Sequence, residues 1–330
     1  MISRRDFVTA LGACTLATPL GTVAQQQKKI WRIGYLSPRR PPGSLEAGAY
    51  GAFMEGLRDL GYVEGANLVI ERRWGDGNYE RLPEIAAELV RLNVDLILAT
   101  SSPAVGAAQK ATGTIPIVMG NADDPVESGF IQSLARPGGN ITGLASIRSE
   151  IVPKHVEILR ELVPKLDRVA VLMNPTYAVH TRSLAIIKAA AQAIKLRILP
   201  IEAKTTKEID NAFSMIANQK AGAVIILGDS FFLAQTRQMA SLAMKHRLPS
   251  IYTARTYARD GGLLSYGENL PTMFRRAASY ADKIFKGAKP AELPVEQATT
   301  FELVINLQTA KAIGITIPQS ILLRADEVIQ

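Results

Sequence analysis

The sequence predicts an α/β protein of two similar lobes, each built on a doubly wound parallel sheet. Short apolar runs alternate with helical stretches along the 330 residues. Several runs are continuously apolar, which is typical of strands in parallel sheets that are covered on both faces. The pattern of the first half recurs in the second, and alternating β and α units imply right-handed crossovers. Two lobes explain this recurrence better than one long sheet.

Ten strands are predicted, five in each half of the chain. In the first half they lie at 31–36, 68–73, 94–100, 115–119 and 141–145, and in the second at 168–173, 196–201, 223–227, 250–252 and 263–266. Equivalent strands can be aligned, for example Val94-Asp95-Leu96-Ile97-Leu98 with Ala223-Val224-Ile225-Ile226-Leu227. The alignment is what indicates two lobes of the same kind.

The segments between the strands are predicted to be amphipathic helices. Phe53, Leu57 and Leu60 recur at the spacing of one helical face. Thr205 and Glu208 have the spacing of a capping box, in which the Thr hydroxyl accepts an N–H of the first turn and the Glu side chain reaches back. This spacing predicts a helix that begins just after Thr205.

The first 24 residues are predicted to be an export signal. An apolar stretch too short and interrupted for a membrane anchor ends in Thr22-Val23-Ala24, the pattern of a signal peptidase site. Ser3-Arg4-Arg5-Asp6-Phe7 resembles the twin-arginine export motif, with an ordinary Sec signal as the alternative. Cys14 ends a stretch resembling a lipobox, in which it would be acylated, but few apolar residues precede it. We therefore expect a cleaved protein in the periplasm.

Composition and motifs exclude several other classes of protein. A single cysteine excludes a disulfide framework, and no apolar run reaches the roughly 18 to 20 residues of a spanning helix. The net charge is +8, but the basic residues are spread out and not interleaved with aromatic ones, so no nucleic-acid partner is expected. Phosphate-binding glycine loops and a nucleophile elbow do not occur, and the three histidines lie far apart. We predict no catalytic residue, no metal site and no cofactor.

Polar side chains follow the carboxyl ends of the predicted strands in both halves. Ligands of open α/β sheets bind at that edge, and the N-termini of the following helices favour an anionic group. Hydroxyls, amides, carboxylates and tyrosines there suit a small polar or zwitterionic ligand. Each of these residues alone could instead cap a helix. The predicted ligand-binding residues are Ser37, Ser101, Ser102, Asn121, Asp123, Asn174, Tyr177, Asp229, Ser230, Tyr252 and Tyr266.

Longer stretches of the chain resemble a known family. They include 133–143 (SLARPGGNITG), 168–172 (RVAVL), 261–267 (GGLLSYG), 293–297 (LPVEQ), 301–306 (FELVIN) and 324–328 (RADEV). On these stretches the chain resembles the substrate-binding proteins of an ABC-transporter family, in the type I periplasmic-binding group whose members include aromatic amino-acid binders. The run Arg39-Arg40-Pro41-Pro42 after the first strand is unusual for that family.

The resemblance implies the type I periplasmic-binding-protein fold. In that fold, two Rossmann-like lobes joined by three crossings enclose a ligand cleft and close by hinge motion. Lobe 1 is then expected to comprise 28–146 plus about 268–295, and lobe 2 to comprise 147–267 plus about 296–330. The resemblance further implies a protein without catalysis that delivers an amino acid or small carboxylate to a membrane permease and its ATPase. We expect it to be a monomer.

Two other functions remain as alternatives. An exported ligand sensor would present its occupied form to a membrane receptor, and a permease or a kinase gene beside its own would distinguish the two. An exported α/β enzyme, such as a hydrolase or racemase, is the second alternative. It is disfavoured because racemases of comparable two-lobed design use a cysteine pair, which the predicted mature chain lacks, and no catalytic triad pattern occurs.

Overall fold

The computed structural model of the protein describes residues 29–41, 43–46 and 48–330. The predicted export signal, residues 1–24 with Cys14, lies outside the described residues. The described chain forms two α/β lobes, each a sheet with helices packed on both faces. The predicted fold class is therefore confirmed.

Six parallel strands form the sheet of lobe 1. They are β1 (Trp31–Ser37), β2 (Leu68–Trp74), β3 (Leu96–Ala99), β4 (Ile117–Asp123), β5 (Ile141–Ser146) and β11 (Glu296–Gln297). Their order across the sheet is β11-β5-β4-β3-β1-β2. β3, β4 and β5 are buried along their whole length, as their continuous apolar character predicts.

Seven strands form the sheet of lobe 2. They are β6 (Arg168–Met173), β7 (Arg197–Glu202), β8 (Ala223–Ile226), β9 (Ser250–Tyr252), β10 (Leu264–Glu268), β12 (Phe301–Asn306) and β13 (Glu327–Ile329). Their order is β13-β12-β10-β9-β8-β6-β7, and the pair β10–β12 is antiparallel. The ten strands predicted from the sequence are all present. Their boundaries shift by at most two residues, except that β4 ends at Asp123, four residues beyond its predicted end.

Helices cover both faces of each sheet. They are α1 (Gly48–Asp59), α2 (Leu82–Arg91), α3 (Ser102–Ala111), α4 (Arg148–Leu162), α5 (Ala178–Ala193), α6 (Thr206–Asn218), α7 (Ser230–Leu233), α8 (Thr236–Lys245), α9 (Arg255–Arg259), α10 (Leu270–Phe285), α11 (Leu307–Ile313) and α12 (Gln319–Leu322). α1 and α10 pack on one face of lobe 1, and α2 and α3 pack on the other. In lobe 2, α4, α5, α11 and α12 oppose α6 to α9.

The predicted cap of α6 is confirmed in its main feature. Thr205 Oγ1 accepts a hydrogen bond from the Glu208 N–H (3.2 Å). Glu208 Oε2 reaches back to the N–H of Lys204 (2.8 Å), one residue earlier than a capping box requires. None of the helices in the described ranges has the length and apolar character needed to cross a membrane.

The chain passes between the lobes at three places. These lie between β5 and α4, between β10 and α10, and between β11 and β12. α10 returns to lobe 1, where Phe274 and Ala278 are fully buried against the core. The approach of α10 to α1 depends on Gly56, because a Cβ there would lie 2.8 Å from the Arg275 carbonyl oxygen. The crossings after β5 and β10 begin at the carboxyl ends of those strands.

Candidate functional site

A cavity lies between the two lobes at the carboxyl ends of their strands. The ends of β3 and β4 in lobe 1 and the loops after β6, β8 and β9 in lobe 2 contribute to its wall, together with the end of β10. We refer to it as the inner cavity. Its volume is about 30 Å³, room for about two water molecules, and the side chains of Arg39 and Arg148 line it.

Arg148, the first residue of α4, connects the two lobes. Its Nη2 donates to Asn121 Oδ1 (2.9 Å) in lobe 1, and its Nη1 donates to the Gly228 carbonyl oxygen (3.1 Å) in lobe 2. Nη1 also lies 3.3 Å from Asp123 Oδ2. Burial lowers the pKa of Arg148, but the carboxylates of Asp123 and Glu268 raise that pKa by more, so it ends above its ordinary value. Arg148 is therefore a permanent cation among buried carboxylates.

Glu268, the last residue of β10, is fixed at the second crossing. The Ser146 hydroxyl (2.7 Å) and the Ile147 N–H (2.8 Å) donate to Oε1, and Asn121 Nδ2 donates to Oε2 (3.1 Å). Burial raises the pKa of Glu268, and the nearby charge of Arg148 opposes that rise. These bonds join the ends of β4, β5 and β10, so Glu268 holds two of the crossings in register.

Direct hydrogen bonds also join the lobes across the cleft. The Tyr177 hydroxyl of lobe 2 donates to Asp123 Oδ2 of lobe 1 (2.5 Å). The Phe231 N–H of lobe 2 donates to the Tyr79 hydroxyl of lobe 1 (3.4 Å). Asp123 is 1% exposed, and its Oδ1 has no hydrogen-bond partner among the described residues. Because both bonds span the cleft, they can form only while the lobes are together.

Asp229 and His180 order the lobe 2 side of the cavity. Asp229 caps α7, with Oδ1 accepting from the Phe232 N–H (2.6 Å) and Oδ2 accepting from Asn174 Nδ2 (2.6 Å). Burial raises the pKa of Asp229 to about 6 despite these bonds. His180 Nδ1 accepts from the Asn174 N–H (2.9 Å), and Nε2 donates to the Gly228 carbonyl (3.3 Å). Burial lowers the pKa of His180 to about 4, so its ring is neutral at pH 7.

Three polar groups of the cavity wall have no partner within the described ranges, and one of them is Thr100 Oγ1. Ser101 Oγ is buried and makes no hydrogen bond, although Ser101 stands at the N-cap position of α3. Arg39 Nε is likewise buried without a partner, and no described carboxylate lies within 4.0 Å of the guanidinium. Burial lowers the pKa of Arg39. Since unsatisfied buried polar groups cost free energy, these groups are suited to bind a ligand.

The structure brings six of the eleven predicted ligand-binding residues onto the cavity wall and leaves five outside it. Ser101, Asn121, Tyr177, Asp229, Ser230 and Tyr252 line the cavity, whereas Ser37, Ser102, Asp123, Asn174 and Tyr266 do not. The role of all eleven in binding stays a prediction.

Most of the five outer residues support the wall. Ser37 Oγ accepts from the Arg39 N–H (3.3 Å), and Ser102 Oγ accepts from the Asp123 N–H (2.8 Å). Tyr266 lies elsewhere, stacked on Phe301 with 6.2 Å between ring centroids.

Three charged residues of the wall were not among the predicted ones. Arg148 and Glu268 stand at a helix start and a strand end that border the crossings. The strand-end rule could place them near the cleft, but it gives no sign that their charges are buried there. Arg39 follows β1 by two residues, in the doublet Arg39-Arg40 that the sequence already shows. No group of three or more His, Cys, Asp or Glu side chains in the described ranges is placed to hold a metal ion.

Two lobes of the same kind, three crossings and a polar cavity between the strand ends define the type I periplasmic-binding class of protein. The sequence model of the ABC transporter substrate binding protein family matches residues 43–329, and the chain belongs to that family.

Named relatives agree with this membership. A tyrosine-binding protein of Clostridioides difficile is 26% identical over 261 residues, which cover 79% of this chain and 75% of that protein. A crystal structure of a conserved domain protein from Vibrio cholerae has a TM-score of 0.85 at 29% identity, covering 91% of this chain and 100% of the other. An ABC domain from Streptococcus pneumoniae in complex with L-Trp has a TM-score of 0.82 at 26% identity, with 91% and 99% coverage.

Proposed function

We propose that the protein is the solute-binding component of an ABC importer. It captures a small polar or zwitterionic ligand, an amino acid or a small carboxylate, between its lobes and delivers that ligand to a membrane permease and its ATPase. The observation that carries the proposal is the inner cavity, where groups of both lobes meet and Ser101 and Arg39 offer unpartnered polar atoms. A ligand that touches both lobes favours their closed arrangement through its differential affinity for that arrangement.

The relatives support an amino acid as the ligand. One of them is named a tyrosine-binding protein, and the pneumococcal structure contains L-Trp. An amino acid suits a cavity wall that carries arginines, because its carboxylate finds an opposite charge there. We therefore take L-tyrosine and L-tryptophan as the first probes.

The predicted export signal and the family support a periplasmic, monomeric protein that reaches the membrane only through its permease. Replacing both Arg4 and Arg5 by Lys should abolish export through the twin-arginine route. The test is fractionation of cells that express the full chain, with the unchanged chain as the control. Periplasmic accumulation of the double variant would show that export follows the Sec route instead.

A thermal-shift and calorimetry screen tests the ligand class. A ligand present at 100 times its Kd adds about 2.7 kcal/mol to the free energy of unfolding. L-tyrosine, L-tryptophan and small carboxylates should include at least one such ligand. If none of them raises the melting temperature, the proposed ligand class is wrong.

Two neighbouring serines provide a matched pair of variants. Ser101→Ala removes a hydroxyl that has no partner, so stability should hold while affinity falls by about 3- to 10-fold, the value of one hydrogen bond. Ser102→Ala removes the acceptor of the Asp123 N–H and should instead lower stability by about 1 kcal/mol. Unchanged affinity in Ser101→Ala would remove this residue from the binding site.

A further inference from the structure

A second cavity, the outer compartment, adjoins the inner cavity. Its volume is about 400 Å³, which falls in the roughly 300 to 1,000 Å³ range of small-molecule sites. Both cavities share Arg39, Leu233, Ala254, Glu268 and Leu270 as wall residues, so they lie side by side. Because the inner cavity measures only about 30 Å³, most of the room for a ligand between the lobes lies in the outer compartment.

Three aromatic rings of lobe 1 line the outer compartment. Tyr35 and Tyr50 pack edge to face with 4.9 Å between their ring centroids. The ring centroids of Tyr35 and Trp74 are 5.0 Å apart. Tyr50 is held in place because its hydroxyl accepts from Arg72 Nε (2.6 Å). Trp74 is only partly buried. Fixed aromatic walls of this kind suit a flat apolar group.

Unpaired positive charge stands beside these rings. Arg39 and Arg40 both line the outer compartment, and neither has a carboxylate of the described chain within 4.0 Å. Arg255 and Arg259 on the opposite wall are different, because Glu327 pairs with both (2.6 and 3.0 Å). The cations left to meet a ligand anion are therefore those of the Arg39-Arg40 doublet, and Arg39 is the one that reaches both cavities.

The carboxylates near the inner cavity are already engaged. Asp123 and Glu268 share the charge of Arg148 and accept further hydrogen bonds. Asp123 Oδ1 has no described partner, but Asp123 lines neither cavity. Both carboxylate oxygens of Asp229 accept hydrogen bonds. A ligand ammonium would compete with these donors, whereas a ligand carboxylate would meet an unoccupied guanidinium on Arg39.

We propose that the ligand is an aromatic organic acid whose carboxylate pairs with Arg39 and whose ring lies against Tyr35, Tyr50 and Trp74, and that binding requires no amino group. This inference rests on the proposed function, since it specifies the ligand of the same cleft. It makes Arg39 the residue that selects for an acid and the aromatic wall the surface that selects for a flat ring.

Three probes that differ by one group each test the proposal by calorimetry. L-tyrosine carries both charged groups, 3-(4-hydroxyphenyl)propionate lacks the ammonium, and tyramine lacks the carboxylate. The propionate should bind within about 10-fold of L-tyrosine or more tightly, and tyramine about 100-fold more weakly or not at all, since a charge-assisted pair is lost. If L-tyrosine binds and the propionate does not, this inference is overturned while the proposed function stands. If neither these acids nor L-tryptophan binds but a small carboxylate does, this inference is again overturned and the proposed function stands. If the small carboxylates fail as well, both are overturned.

Variants test the two walls separately. Arg39→Gln should weaken binding of the propionate by about 10- to 100-fold, whereas Arg58→Gln, an exposed arginine of the same lobe, should leave it unchanged. The chain has two tryptophans, and Trp31 stacks on Phe285 (4.2 Å) away from the compartment. In Trp31→Phe, Trp74 is the sole tryptophan, and its emission should change when the propionate binds. Full affinity in Arg39→Gln, or calorimetric binding with silent Trp74 emission, would overturn the assignment.

Discussion

Replacing Tyr177 with Phe removes one hydrogen bond between the lobes and almost nothing else. The hydroxyl of Tyr177 donates to Asp123 Oδ2 over 2.5 Å, the length of a strong bond to a carboxylate. The ring stays packed against His180 (5.1 Å) and Tyr79 (6.3 Å) in the variant. The change therefore acts on the closed arrangement and spares the core of either lobe.

The size of the effect follows from the environment of that bond. Asp123 is 1% exposed, and its other oxygen has no described partner, so the hydroxyl is one of two groups that satisfy the carboxylate in the closed cleft. A hydrogen bond to a charged group contributes about 1.5 to 3 kcal/mol. When the lobes part, water solvates both groups, so the open form of the variant loses little. The equilibrium between closed and open forms should shift by about 10- to 100-fold toward open.

Small-angle scattering and calorimetry check this prediction together. Tyr177→Phe should have a larger radius of gyration without ligand and a weaker apparent affinity, because only the closed fraction binds tightly. Tyr257→Phe is the matched control, since that hydroxyl donates to Ser250 Oγ (2.7 Å) within lobe 2. Equal scattering and equal affinity in the two variants would refute the idea that Tyr177 holds the lobes together.

Three further predictions concern the charged and titrating groups. Arg148→Met should lower the free energy of unfolding, measured in denaturant titrations, by about 3 kcal/mol. This is the low end for a broken buried ion pair, because water can reach Asp123 and Glu268 when the lobes open. An unchanged stability would contradict the bridging role of Arg148. Burial lowers the pKa of His155 to about 4. Between pH 6.5 and 4, the imidazole is therefore protonated in the unfolded chain but neutral in the folded chain. The free energy of unfolding consequently falls as the pH drops from 6.5 toward 4. His155→Gln should remove about 2 kcal/mol of the difference in stability between pH 7.5 and pH 5, and a pH profile like that of the unchanged protein would argue against burial as the cause. Because the pKa of Asp229 is about 6, a ligand ammonium bound there should lose about fourfold in affinity between pH 7.5 and 5.5, whereas an acid bound by Arg39 alone should lose none.

The fold could be predicted from the sequence because the burial of a strand determines which of its residues are apolar. Strands covered on both faces must be apolar at every position, and β3 and β8 show that pattern without interruption. The position of the cleft could be predicted for a related reason, since parallel strands of a sheet present their carboxyl ends at one edge. Ser101 and Asp229, predicted on that rule alone, both line the cavity.

The identity of the side chains that face the cavity could not be predicted, because it depends on how each loop turns. Ser101 and Ser102 are neighbours of the same type, yet Ser101 faces the cavity and Ser102 binds the Asp123 backbone. Tyr266 lies on a strand that leads to a crossing, but its ring packs on Phe301. No local pattern in the sequence distinguishes these outcomes.

Charge is the hardest feature to predict, since a buried charge depends on partners that are distant in the chain. Arg148 interacts with groups 25 to 120 residues away, among them Asp123 and Glu268. In the sequence it is one of 38 basic residues and resembles a solvated helix start. Only the convergence of both lobes on it makes a buried cation tolerable, because desolvation must be offset by several carboxylates and carbonyls at once. The same reasoning distinguishes Arg39 from Arg148. Arg39 lines the cavity without such partners, so its charge is available to pair with a ligand.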